Sequence, residues 1–158
     1  MNTAFAYFRN NKARSFTNLV AAMTFRKMAA AKAYAMALHD ELTGLPNRYL
    51  MREYLVKTLA NKKDQSVYSA MLMLDMDHFK EVNAMLGHAM GDKLLIQTTQ
   101  RLSKAVRQTD TVGRFGGDEF AIIVEGISSS LDCAMENASN VCQSILKALA
   151  KPYHLNNQ

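Results

Sequence analysis

The chain has 158 residues, 49% of them apolar and 21% charged, which is enough for one domain of ordinary size with a real core plus an appendage. Its net charge of +5 is uneven: Arg9, Lys12, Arg14, Arg26, Lys27 and Lys32 all precede Asp40, the first acidic residue, and the remainder is close to neutral. A broad basic face for nucleic acid is therefore excluded on the main body, and the longest charge-free stretch near the start, residues 15–25, is too short and too polar to span a bilayer.

Residues 1–39 are rich in Ala and Met, and Leu19, Val20, Met23, Met28 and Met36 give a loose stripe that predicts one or two helices in a basic connecting segment. The stripe is too weak for a membrane-surface helix, and no small-residue cleavage site follows an apolar core. From Asp40 to Arg48 a turn cluster containing Gly44 and Pro46 opens the main domain. Asn47 is placed to cap a helix reaching about residue 61, with Leu50, Met51, Tyr54, Leu55 and Leu59 on its apolar face. A polar loop over 61–66 follows. Residues 67–76, VYSAMLMLDM, are apolar on both parities, which predicts a central strand covered on both faces. Carboxylates at the end of such a strand are costly unless they are paired or bind a cation, which marks Asp75 as a functional candidate, while Asp77 reads as a helix cap.

A short helix is predicted over 79–86, a break over 87–92, and a longer helix over 93–107 with Leu94, Leu95, Leu102 and Val106 facing the core. On position alone Asp92 would be the N-cap of that second helix. Strands over 111–115 and 119–125 are joined by Gly116-Gly117, whose tolerance of positive φ suits a tight hairpin turn. A loop over 126–130 leads to a helix over 131–150, with Ala134, Ala138, Val141, Ile145 and Leu149 on its buried side, and Pro152 stops it. Cys133 and Cys142 fall within that helix with no Cys or His at metal-ligand spacing, and read as reduced thiols of a cytoplasmic protein.

The order helix, strand, helix, helix, hairpin, helix is α+β, with an antiparallel sheet flanked by helices and strand ends converging on one edge. Asp75, Asp118 and Glu119 can meet there. A turn without side chains admits a bulky anion to the backbone, and carboxylates beside it can hold a hard cation such as magnesium, which leaves coordination positions for substrate phosphates. Such an ion serves in-line displacement at phosphorus, and a nucleoside triphosphate is the natural ligand. A bare Gly-Gly-Asp-Glu is also an ordinary solvated turn, so the pattern gains weight only from its company.

Three stretches in order supply that company: Asp40-Glu41-Leu42-Thr43-Gly44-Leu45-Pro46-Asn47-Arg48; Leu74-Asp75-Met76-Asp77-His78-Phe79-Lys80-Glu81-Val82-Asn83 followed by Leu86-Gly87-His88 and Gly91-Asp92; and Arg114-Phe115-Gly116-Gly117-Asp118-Glu119-Phe120. They resemble the signatures of GGDEF domains, the diguanylate cyclases. The resemblance implies a domain over 40–158 with the fold of the adenylyl cyclase and polymerase palms, after a basic helical extension over 1–39. It implies condensation of two GTP into cyclic di-GMP with release of pyrophosphate, by a homodimer in which each domain presents one GTP. By position, Asp75, Asp118 and Glu119 would hold Mg2+, or Mn2+, with the Met76 carbonyl, and Asp118 would also activate the 3′-hydroxyl. Lys80 would meet the phosphates as a mobile cation. Asn83 and Asp92 would read guanine, whose N–H donors suit a carboxylate and whose acceptors suit an amide; His88 would line the nucleotide pocket, and Gly116 and Gly117 would border the substrate.

Arg107-Gln108-Thr109-Asp110 resembles the family's inhibitory RxxD, so Arg107 and Asp110 are expected to bind the cyclic product. No nucleic-acid partner and no transmembrane segment are expected. Two departures stand out. Ala84 occupies a position where many members carry an acid, and the sequence ends at Gln158 where the family continues into a further strand and helix, with a SIG-like strand and a basic segment that contacts phosphate. The C-terminal strand and helix are therefore expected to be missing from the sheet. Two alternative readings accompany the cyclase: a GGDEF-like module that binds GTP or cyclic di-GMP without turnover to regulate a partner, and another palm-type nucleotidyl cyclase or polymerase.

Overall fold

The computed structural model describes residues 20–29, 33–34, 36–60 and 67–155, and it divides into two compact units, Met1–Ala37 and Leu38–Gln158. In the first, residues 20–29 are helical and exposed throughout, so Val20, Met23 and Met28 bury no apolar stripe; Leu19 of that stripe and the expected loop over 61–66 lie outside the described residues.

The second unit opens with a turn built by its own side chains. The Asp40 carboxylate accepts the Thr43 N–H at 2.9 Å and the Thr43 hydroxyl at 2.6 Å, while Gly44, at φ 70°, donates its N–H to the Asp40 carbonyl. Asn47 then caps helix α1, Arg48–Ala60, accepting the N–H groups of Tyr49 and Leu50 at 3.0 and 3.2 Å. Leu50 and Met51 are buried, whereas Leu59, expected on the same face, is 54% exposed.

The sheet has three strands in the order β1-β3-β2, where β1 is Tyr68–Leu74, β2 is Thr111–Gly116 and β3 is Glu119–Ser128, and both neighbours run antiparallel to β3. This corrects the expectation that residues 67–76 form the central strand. Residues 120–124 of β3 are each at most 1% exposed, while β1 alternates, with Met71 and Met73 at 38% and 58%. The physical reason is coverage: α1 packs on β2 and β3, and the α1-facing side of β1 is left open. Met51 seats against Ala121 and Ile123, and it occupies the space a side chain at Gly113 would need.

On the other face helices α2, Phe79–Leu86, α3, His88–Ala105, and α4, Leu131–Leu149, complete the core around Phe79, Leu94, Leu95, Leu102, Phe120, Ile122 and Ile145. Helix α3 starts five residues before its expected position, because Gly87 at φ 84° and ψ 157° makes the break alone; Asp92 therefore lies inside the helix and is not its cap. Strand β3 runs past its expected end through an irregularity at Gly126, whose N–H is donated to the Ser69 hydroxyl at 3.3 Å. After α4, residues 151–155 return along α3. Lys93, Gln97 and Arg101, spaced four apart on one side of α3, donate to the carbonyls of Leu155, His154 and Pro152, and the Arg101 guanidinium stacks 3.6 Å above the Tyr153 ring.

Candidate active site

The last rung of the β1/β3 ladder pairs Leu74 with Phe120, both turned into the core. One step further come Asp75, just past the end of β1 and lining a hollow with Cys142, Ile145 and Leu146 of α4, and Glu119, which alternation turns to the α1 side, with Asp118 next in the turn. Two segments far apart in sequence thus deliver three carboxylates to one sheet edge. Asp75 and Glu119 are exposed and Asp118 is half-buried. The expected cost of a buried Asp75 is corrected accordingly: β1 is an edge strand that ends at Leu74, so the residue after it stands in solvent. Its candidacy rests on the juxtaposition.

The turn between β2 and β3 uses both glycines, Gly116 at φ 142° and Gly117 at φ 55°, and a Cβ built on either meets nothing within 4 Å. Open space beside exposed backbone is what a phosphate chain requires. Arg114 holds this turn in place. Its Nε and Nη2 donate to the Gly117 carbonyl at 3.0 and 2.6 Å, and its Nη1 reaches the Asp40 carboxylate at 2.8 Å across 74 residues of sequence. Arg114 is 9% exposed, and its backbone N–H is donated to Pro46, so the opening turn and the hairpin tip form one clamped body. Burial acts to raise the Asp40 carboxyl, but hydrogen bonds from Thr43 and Arg114 outweigh it and hold the group below its ordinary value. Sequence reading treated Arg114 only as part of a motif; an arginine next to a Gly-Gly turn in an otherwise apolar strand was the available signal.

Between β1 and α2 the chain passes through His78 at φ 61° and ψ 16°, the one non-glycine residue at positive φ among the described residues. His78 stands at the N-cap position with no side-chain cap, which corrects the assignment of that role to Asp77. A backbone of this kind costs on the order of 1 kcal/mol and gathers at ligand sites. His78 Nδ1 lies 2.8 Å from Glu81 Oε1. The Met76 carbonyl accepts the Phe79 N–H at 3.4 Å, a long contact that leaves it acceptor capacity, and Lys80 is exposed one residue later.

The α2/α3 pair brings Asn83 against Gly91. A Cβ at Gly91 would lie 2.0 Å from Asn83 Oδ1, so only glycine there leaves room for the amide, and Asp92 follows immediately, exposed. His88, also exposed, opens α3. Arg107 and Asp110 lie elsewhere, in the link from α3 to β2. The Arg107 N–H is donated to Asp110 Oδ2 at 3.0 Å, while Asp110 Oδ1 is buried with no partner. Both residues line a hollow of about 250 Å³ with Asn137, Asn140 and Ser144 of α4, which sequence reading did not single out. Their spacing along α4 is the helical signal that could have found them.

Among the described residues no three or more His, Cys, Asp or Glu side chains are grouped so as to hold a metal ion by themselves. The donor set at the sheet edge fits magnesium all the same, since that ion takes one or two carboxylates and completes its shell with water and substrate oxygens. Among the described residues no helix is long and apolar enough to cross a membrane.

Residues 37–158 match the family described as "Diguanylate cyclase, GGDEF domain". The chain is 36% identical over 120 residues to the bifunctional diguanylate cyclase/cyclic di-GMP phosphodiesterase MucR of Pseudomonas aeruginosa, an alignment that covers 76% of this chain and 17% of MucR. It is 39% identical over 109 residues to the diguanylate cyclase TpbB of the same species, covering 69% of this chain and 25% of TpbB, so it spans a quarter or less of the length of these curated relatives. The solved GGDEF domain of TpbB superposes with a TM-score of 0.69 at 34% identity, over 75% of this chain and 66% of that one. The GGDEF domain of DgcB from Caulobacter crescentus, solved in complex with c-di-GMP, superposes with a TM-score of 0.57 at 26% identity, over 66% of this chain and 60% of that one.

Proposed function

The chain belongs to the GGDEF family of diguanylate cyclases, and on that basis we propose that it condenses two molecules of GTP into cyclic di-GMP with release of two pyrophosphates. The observation that carries the reading is the sheet edge, where Asp75 and Glu119 are the residues next to the last paired rung, Leu74 with Phe120, and Asp118 stands on the open glycine turn.

Asp75 and Asp118, with the Met76 carbonyl and Glu119 as a further oxygen donor, are the residues to hold magnesium, or manganese in its place. When bound, the ion supplies Lewis-acid polarisation of the α-phosphate. Asp118 accepts the proton of the attacking 3′-hydroxyl. Lys80 meets the phosphates and offsets charge as the pyrophosphate leaves. Asn83 and Asp92 read the two edges of guanine, the carboxylate accepting from N1–H and N2–H and the amide facing the remaining acceptor, and His88 borders the same nucleotide. The bare hairpin at Gly116 and Gly117 lets the triphosphate lie against backbone.

Each domain presents one base-reading pair, and the product needs two guanosines joined head to tail, so the reacting unit is a homodimer. Feedback belongs to the hollow at Arg107 and Asp110. The unpartnered Asp110 oxygen is ready to accept a guanine N–H, Arg107 offers a planar fork to phosphate, and a relative's GGDEF domain has been solved with c-di-GMP.

The metal assignment is tested with Mn2+ and a non-hydrolysable GTP analogue, following the bound ion by electron paramagnetic resonance. Asp75→Asn and Asp118→Asn should each weaken Mn2+ binding by more than about tenfold. Unchanged Mn2+ affinity in both would remove the sheet edge from the mechanism.

A further inference from the structure

Between α1 and the open half of the sheet lies a hollow of about 380 Å³, lined by Arg48, Tyr49, Arg52 and Leu55 of α1, Met71 of β1 and Phe115 of β2. None of these residues has a part in the reaction described above. The volume is in the range of small-molecule sites, and the lining differs from an ordinary packing gap. Two guanidinium groups, four residues apart and so on one side of α1, stand beside two aromatic rings and the thioethers of Met51 and Met71. Arg48 lies 5.0 Å over the Tyr49 ring and donates to its hydroxyl at 3.2 Å, which sets the cation and the ring together. Arg52 is exposed and makes no ion pair among the described residues.

The position of the hollow adds a second argument. Met71 and Met73 alternate onto the α1 side of the sheet, 38% and 58% exposed, and Asp75 follows just past the end of β1. An uncovered strip therefore runs from the hollow to the carboxylate edge, a span of four residues or roughly 13 Å. Cations stand at one end, carboxylates at the other, and apolar thioethers between them. A planar ring bearing phosphates matches this order of groups: Arg forks fit phosphate oxygens, and aromatic and thioether surfaces accept a base.

We propose that this hollow is a second purine-nucleotide site, in which Arg48 and Arg52 hold phosphate oxygens while the base lies among Tyr49, Phe115 and Met71. It is separate from the guanine-reading pair, whose helices α2 and α3 pack on the opposite face of the sheet. The occupant can come from substrate or from product, and the chemistry that recognises it is the same. The site does not depend on turnover, so it stands or falls independently of the cyclase reading.

Equilibrium dialysis of the full chain with guanosine 5′-[α,β-methylene]triphosphate and Mg2+, in an Arg107→Ala background that silences the inhibitory hollow, is expected to show two equivalents bound per chain. Arg52→Ala should reduce this to one, and so should Met71→Trp, which fills the hollow without touching charge. A single equivalent in the parent protein, or two equivalents retained in both variants, would overturn the proposal. Competition by cyclic di-GMP for the Arg52-dependent equivalent would assign the site to product; its absence would assign it to substrate, and either result supports the site. Asn83→Ala should remove the other equivalent. Failure of that variant alone would count against the guanine-reading assignment and leave this one intact.

Discussion

Arg114 divides its guanidinium between the Gly117 carbonyl and the Asp40 carboxylate, and that division couples the start of the domain to the hairpin tip. Removing Asp40 leaves a nearly buried cation half satisfied, so Asp40→Ala should destabilise the domain by about 3 kcal/mol in chemical denaturation, at the lower end for a buried pair because Asp40 keeps some exposure. The pH dependence has a definite sign. Because the folded Asp40 lies below its ordinary value, its contribution is complete above the ordinary aspartate range and is lost as pH falls through the lowered folded value. Acid unfolding of Asp40→Asn should lack that component, and an unchanged acid limb would contradict the clamp. Gly91→Ala drives a methyl into Asn83 Oδ1 and should weaken GTP binding about tenfold by calorimetry, since displacing a hydrogen-bonding group in a site costs on the order of 1–3 kcal/mol. At this scale the surroundings of individual groups were not legible in the sequence. Asp75 was expected in a buried strand and stands exposed, and His78 takes the cap position expected of Asp77, because a left-handed residue ahead of α2 leaves no sign in composition.

Among the elements, the hairpin and the four helices α1 to α4 among the described residues were legible from periodicity and from Asn47, Gly87 and Gly126, with ends displaced by a few residues. The order of strands was not. Apolar residues on both parities occur in both β1 and β3, and only the placement of α1 over β2 and β3 decides which of them is covered twice. That placement depends on a small feature. Met51 needs the empty space over Gly113, where a Cβ would sit 2.3 Å from its Cγ and 2.9 Å from the Pro46 carbonyl oxygen. Gly113→Ala should therefore cost about 1–3 kcal/mol of stability, read as a lower denaturation midpoint with an unchanged slope. The polar residues of α4 that line the hollow at Arg107 and Asp110 were not legible in the sequence, since those two residues lie in a link that only the fold brings against α4. Arg107→Ala should let cyclic di-GMP accumulate at least about tenfold beyond the level at which the unaltered chain stalls, as expected when a charge-assisted bond is lost. Product curves that plateau together would remove the hollow from regulation.

For the whole molecule, three motifs separated by tens of residues meet at one end of a three-stranded sheet. The α+β order of elements already implied that Asp75, Asp118 and Glu119 could meet, while the part of the opening turn came only from the resemblance to a family. The fold supplies the physical reason: antiparallel pairing of β1 with β3 returns the chain to the end where Asp75 left it, and Arg114 ties the opening turn to the same end. The cyclase reading proposed above calls for two such molecules, because one proposed guanine-reading pair would present only one half of the product. Incubation of the purified chain with GTP and Mg2+, with Asp118→Ala in parallel and nucleotides separated by mass, tests the central claim most directly. The account predicts cyclic di-GMP and pyrophosphate from the unaltered chain alone. A folded, GTP-binding protein that forms no cyclic di-GMP would contradict it and leave a nucleotide-binding module in its place.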